Sequence, residues 1–292
     1  MHSINVLSLS PDARDWLVNS RHPHILHVFE HVCNLINDHR EVLSIVTTQI
    51  GNGPFNLVVE DDVLFSDHLN AESPISIRAN QLNLGDLTIN TVNAKPWSPR
   101  PDWGMLHVRR DHIRSQLMSL PNANYQLRGL DTPFATSAQD YSTTTSLHSL
   151  ISNLSYALAK ADLPASLKAT PKLAGLGIGL TPSGDDFIMG AVLAAWIIHP
   201  VDVARVLAAK VTETAAALTM SLSAAWLRSA GRGETGILWH QFFDALLSAE
   251  QATIQESMDK ILSIGESSGA DALFGFISLF VAWSVEVRTE HG

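Results

Sequence analysis

Little in this chain invites a disulfide, a polyanionic partner or a bilayer. Its 292 residues hold one cysteine, Cys33, so no internal disulfide forms, which predicts a reducing compartment. Charged residues make up 16%, against a usual share of about 25%. The net charge is −10, divided evenly as −5 in residues 1–146 and −5 in residues 147–292. With no basic arm or patch, nucleic acid and anionic membranes are poor partners, whereas a small anionic substrate needs only local positive potential. The start, Met1-His2-Ser3-Ile4-Asn5, lacks the cationic region of a signal peptide. The longest apolar run, Phe187–Ile198, has twelve residues, and Ala272–Val285 is interrupted by Gly275 and two serines. A bilayer span takes about 20 residues, so both read as buried core helices and the expectation is a soluble, cytoplasmic protein.

What is present divides the chain into two textures. Pro23 suits a first helical position, and Ile25, Val28, Phe29, Val32 and Ile36 share a 3.6-residue face, which predicts a helix over 23–38. Short apolar runs with turn punctuation follow: Val42–Ile50, Gly51-Asn52-Gly53-Pro54, Asn56–Glu60, Ile75–Ala79 and the alternation Leu82, Leu84, Leu87, Ile89, Val92. A turn or bulge fits Asn83-Leu84-Gly85-Asp86, and Lys95–Pro101 reads as a Pro-rich connector. Beyond residue 105 the period is helical over 106–120, 143–161, 187–198, 201–230, 237–263 and 271–287, with a long loop over 122–142. The expected class is α+β, with a β-rich N-terminal domain over 1–104 and a mostly α-helical domain over 105–292.

Two segments of the second half share Ser-Gly-x-Asp-x-x-x-Gly, Ser183–Gly190 and Ser268–Gly275, and each opens an apolar helix. Ser183 and Ser268 are suited to N-caps, with Asp186 and Asp271 completing capping boxes. Gly190 and Gly275 would let two helices approach closely. Capping explains neither the run Gly175-x-Gly177-x-Gly179 nor the second acid, Asp185. Alternating glycines suit a loop that takes positive φ or approaches a ligand, and such a loop entering a helix N-terminus suits a phosphate, carboxylate or carbonyl oxygen. Asp185 and Asp186 would repel an anion unless a cation such as Mg²⁺ or a substrate amide intervenes.

Other motifs fit poorly. No Lys follows the last glycine as a P-loop requires, and the third glycine is misplaced for a dinucleotide fingerprint. Gly265-Glu266-Ser267-Ser268-Gly269 matches G-x-S-x-G, but the preceding residues look helical and the only later histidine is His291. Six of the 13 histidines precede residue 40, yet no HExxH or CxxC pattern accompanies them, so His22, His24, His27 and His31 read as a solvated face. Arg228 and Arg232 suit the end of a helix that stops at Gly231, where a cation either complements the dipole or grips an oxyanion.

At the motifs 175–187, Thr219-x-Ser221 with Ala230-Gly231-x-Gly233-Glu234, and Ser267-Ser268-Gly-Ala-Asp271-x-Leu-x-Gly275, the sequence resembles the AllH-like family, associated with oxamate carbamoyltransferase. The resemblance covers roughly 170–288, and Glu266 departs from the His often found before Ser-Ser-Gly. It implies a subunit of allantoin and purine nitrogen catabolism that works with an FdrA-like subunit and a third subunit. The reaction it implies transfers a carbamoyl group between oxalurate plus phosphate and oxamate plus carbamoyl phosphate. On this reading Asp185 and Asp186 are the catalytic candidates. Gly177, Gly179, Thr181, Ser183, Gly184, Arg228, Ser267, Ser268, Gly269 and Asp271 would bind the ligand, Arg228 through the substrate carboxylate. The alternative is a non-catalytic assembly or small-molecule-binding subunit whose motifs are helix caps and packing glycines.

Overall fold

The computed structural model describes residues 2–60, 63–120, 141–248 and 250–290. The architecture is α+β, as the two textures predicted, and contacts divide it into two compact units: 1–99 with 235–237, and 100–234 with 238–292.

The first unit is built on one sheet of nine strands: β1 (His2–Leu9), β2 (His24–Val28), β3 (Val32–Ile36), β4 (Val42–Val46), β5 (Asn56–Val59), β6 (Ile75–Arg78), β7 (Gln81–Leu84), β8 (Leu87–Asn90) and β9 (Lys95–Pro96). Their order is β2-β3-β4-β5-β1-β8-β7-β6, with β9 on β1. The alternating Leu82, Leu84, Leu87 and Ile89 are all buried on β7 and β8, and Gly85 takes φ +56° in the turn between them. Helix α1 (Pro11–Asn19) is capped by the Ser10 hydroxyl, which accepts from the Ala13 N–H, and buries Trp16, and a single turn, α2 (Phe65–His68), buries Phe65.

The helix expected over 23–38 is instead the hairpin β2–β3, with Ile25 opposite Leu35 and Val28 opposite Cys33. Helical spacing misleads here because the stripe is divided between Ile25 and Val28 on β2, the exposed Phe29 between the strands, and Val32 and Ile36 on β3, which fall at helical intervals without sharing a face. Cys33, Asn34, Leu35 and Ile36 are all inside, so the segment needs apolar residues that a one-sided helix would not. Asn34 is tolerated because its side-chain oxygen accepts from the Ser44 hydroxyl at 2.6 Å.

The second unit contains α3 (Trp103–Val108), α4 (Arg110–Ser119), α5 (Tyr141–Ala159), α6 (Leu163–Ala169), α7 (Ser183–Ile198), α8 (Val201–Ala216), α9 (Ser221–Gly231), α10 (Ile237–Ser248), α11 (Gln251–Leu262) and α12 (Ser268–Glu290). The loop expected over 122–142 lies outside the described residues except for 141 and 142, which open α5. The expected helices 201–230 and 237–263 are each divided. The first breaks after Ala216, and the second is divided between α10 and α11.

Apart from Met189, every residue of α7 is buried, as expected of a helix with no polar face beyond its first turn. It packs along α12. Residues 268–286 of α12 have the length and composition to cross a membrane (mean hydropathy 1.5), and 61% of that stretch is buried within the structure. Where α7 and α12 meet, backbone touches backbone. A Cβ on Gly190 would lie 1.7 Å from the Ala272 carbonyl oxygen, and one on Gly275 2.1 Å from that of Phe187. No side chain fits either gap.

Gly190→Ala and Gly275→Ala are each expected to cost about 2 kcal/mol or more, because main chain cannot yield as a side chain does. Gly104→Ala, at an exposed and uncrowded position in α3, should be neutral or stabilise by up to about 1 kcal/mol. Urea unfolding of the three variants checks both.

Candidate functional site

The two Ser-Gly-x-Asp-x-x-x-Gly segments, 85 residues apart, meet in reciprocal contact. In each, a loop folds back on the new helix: the Gly184 N–H donates to Leu176 O at 2.8 Å, and the Gly269 N–H to Ile264 O at 3.0 Å. Gly190 faces the residue after Asp271, while Gly275 faces the residue after Asp186. These are the contacts of a local two-fold between the starts of α7 and α12.

That arrangement changes what the serines do. The capping boxes expected within each segment do not form. Pro182 is the N-cap of α7 and makes no side-chain cap bond, and Ser183 is already the first helical residue. A hydroxyl inside the first turn points sideways rather than back along its own helix. It therefore meets the neighbouring helix that the two glycines have let in. Ser268 hydrogen-bonds Asp186, and Ser183 hydrogen-bonds Asp271. Thr181 joins the first pair and Ser267 the second, and the Thr181 and Ser268 hydroxyls lie 2.8 Å apart.

Asp186 and Asp271 are 5% and 3% exposed, and the Oδ2 of each makes no hydrogen bond among the described residues. Burial pushes Asp186 well above the usual carboxylate range. The charges of Asp271 and Asp185 push the same way, against the hydroxyl bonds from Ser268 and Thr181. Burial raises Asp271 to about 6, opposed by Ser183 and Ser267. Two acids that repel each other in a dry site give up their protons at higher pH than exposed carboxylates do, and one after the other rather than together. A neutral carboxyl then offers an O–H beside a carboxylate that accepts. That pairing is complementary to a group carrying C=O and N–H side by side.

Asp185 does something different. Its carboxylate accepts from the Gly175 N–H at 2.7 Å, the Thr219 hydroxyl at 2.5 Å and the Ser223 hydroxyl at 2.7 Å. Both oxygens are occupied by protein donors, so it ties the start of the glycine loop to the start of α9. This tie also explains the break after α8, since Thr219 must leave helical geometry to reach it. Gly177 and Gly179 take φ of +124° and +95°, and a Cβ on Gly177 would lie 2.7 Å from the Ser183 nitrogen. Ile178 between them is 77% exposed.

The structure thus gathers Thr181, Ser183, Gly184, Asp186, Ser267, Ser268, Gly269 and Asp271 at the paired helix starts, with Gly177 and Gly179 in the loop above. Arg228 is engaged elsewhere: its Nε donates to Glu213 on α8 at 3.1 Å. Arg232 pairs with buried Glu234, which Arg100 also holds. Among the described residues no group of three or more His, Cys, Asp or Glu side chains converges as a metal site. Burial pushes the Cys33 thiol up to about 12. Thr219 and Ser223 were given no role in the sequence reading. The signal was two hydroxyls four residues apart straddling a helix start.

Because folding raises the Asp271 pKa, its contribution favours the native state below about pH 4 and is lost as pH rises toward 6. Asp271→Asn should therefore be more stable than the parent at pH 8, by about 2 kcal/mol, and lose that advantage near pH 4. Denaturant unfolding across pH 4–8 measures this.

Comparison with protein families finds two matches, which together cover most of the chain. Residues 173–280 match the family described as oxamate carbamoyltransferase subunit AllH, and residues 5–96 match the AllH family N-terminal domain. No solved structure matches the chain. The first match spans both halves of the reciprocal site, the second all but the first three residues of the sheet, and the chain belongs to the AllH family of oxamate carbamoyltransferase subunits.

Proposed function

We propose that this subunit holds the carbamoyl-bearing substrate of carbamoyl transfer between oxalurate plus phosphate and oxamate plus carbamoyl phosphate, within allantoin nitrogen catabolism. The observation that carries the reading is the pair of buried, unpartnered Oδ2 atoms on Asp186 and Asp271 at two joined helix starts. A carboxyl and a carboxylate side by side suit the C=O and NH₂ of a carbamoyl group. The positive ends of α7 and α12 suit the anionic portion of the same molecule.

In this reading Asp186 and Asp271 touch substrate, and Thr181, Ser183, Ser267 and Ser268 orient them. Gly184 and Gly269 bring the loops close, and the loop carrying Gly177 and Gly179 covers the ligand. Asp185 is a positioning residue that fixes that loop through Gly175, Thr219 and Ser223. Catalysis rests on positioning and charge stabilisation rather than on an activated nucleophile. Arg228 is turned toward Glu213, so further positive charge for the carboxylate or phosphate comes from partner subunits, an FdrA-like chain and a third. The setting is cytoplasmic, in keeping with the lone, buried cysteine.

A second reading, an assembly subunit without a substrate site, is favoured by the exposed Leu176, Ile178, Leu218 and Met220 in and after the glycine loop and beside α9. Asp186→Asn separates the two. Reconstituted with its partner subunits, the variant should assemble normally and lose carbamoyl transfer by about a hundredfold or more. Normal assembly with unchanged turnover would favour the second reading.

A further inference from the structure

A cavity of about 230 Å³ opens between α5 and α12, meeting the second Ser-Gly-x-Asp-x-x-x-Gly segment only at Phe274. One wall is the stripe of α12 carrying Phe274, Ser278 and Val281. The other is the face of α5 with Ile151, Ser152 and Ser155. Three serine hydroxyls join the polar tips of His148 and Tyr156 in this lining, more polar groups than packing requires.

Ser155 is the informative one. It is 3% exposed, yet its hydroxyl makes no hydrogen bond among the described residues. Three buried helical hydroxyls elsewhere in this chain donate to a carbonyl one turn back. Ser166 does so to Asp162, Thr170 to Ser166 and Thr212 to Ala208, each at 2.8 Å. Ser155 has the same option at Ile151 and does not take it. A desolvated hydroxyl held away from its own helix and lining a cavity is poised for a guest.

The lining also specifies the guest. Among the described residues no Asp, Glu, Lys or Arg lines the cavity, so a charged ligand would lose its hydration without compensation. Hydroxyls donate and accept alike, and the His148 and Tyr156 rings add flat walls with polar tips. We infer that the α5–α12 cavity is a second ligand site, separate from the paired helix starts, for a neutral, single-ring molecule that hydrogen-bonds to Ser155.

The test uses the full chain and three probes of similar size: phenol, benzoate and toluene, titrated by NMR with thermal unfolding alongside. The expected result is saturable binding of phenol, with benzoate and toluene at least about tenfold weaker. Ser155→Ala should raise the melting temperature of the free protein and weaken phenol about tenfold, one hydrogen bond's worth. Ala282→Phe, which fills the cavity, should abolish binding in a folded chain. Asp186→Asn should leave phenol binding unchanged, because phenol lacks the adjacent C=O and N–H that the paired helix starts would take. The inference is overturned by absence of saturable phenol binding, by benzoate binding equally well, or by binding that survives both cavity variants. Loss of binding in Asp186→Asn would also overturn it, because the probe would then occupy the paired helix starts.

Discussion

The site depends on two helices touching through their main chains. Because Gly190 and Gly275 have no side chains, α7 and α12 come close enough for the first turn of each to reach the first turn of the other. The remaining features of the site follow from that approach. The serine of one segment reaches the aspartate of the other, four hydroxyls cluster around two acidic side chains, and burial raises both acids above the usual carboxylate range. A single extra methyl at either glycine would separate the hydroxyl–carboxylate pairs along with the helices.

The adjacent acids Asp185 and Asp186 show how one turn of helix divides labour. Asp185 faces the glycine loop and α9 and finds three donors. Asp186 faces α12 and is left with one unpartnered oxygen, in a place too dry for a bare charge. Saturated carboxylates hold structure, whereas under-satisfied ones beside a second acid are where chemistry is expected. The same logic separates Arg228, already paired with Glu213, from a role at the site.

Much of this was legible in the sequence, for physical reasons that differ by segment. Leu82, Leu84, Leu87 and Ile89 read correctly because each strand there buries one face, so period two survives. The segment 23–38 read as helix because apolar residues of two strands and the link between them, Ile25, Val28, Phe29, Val32 and Ile36, fall by coincidence at 3.6-residue intervals. The two Ser-Gly-x-Asp-x-x-x-Gly segments and the close approach at their last glycines were visible as a repeat. The crossed pairing was not, since local logic assigns each serine to the aspartate three residues on. Only tertiary contact reverses that choice. Likewise the tie from Asp185 to Thr219 and Ser223 spans 34 and 38 residues, and no spacing rule links them.

The central claim is that Asp186 and Asp271 hold one proton between them and receive a carbamoyl group. Infrared difference spectroscopy with ¹³C-labelled aspartate, recorded at neutral pH with and without oxamate, observes that proton directly. The account predicts a protonated carboxyl band in the free protein that is absent from Asp186→Asn and shifts when oxamate binds. Two fully ionised carboxylates, or a carboxyl band indifferent to ligand, would contradict it.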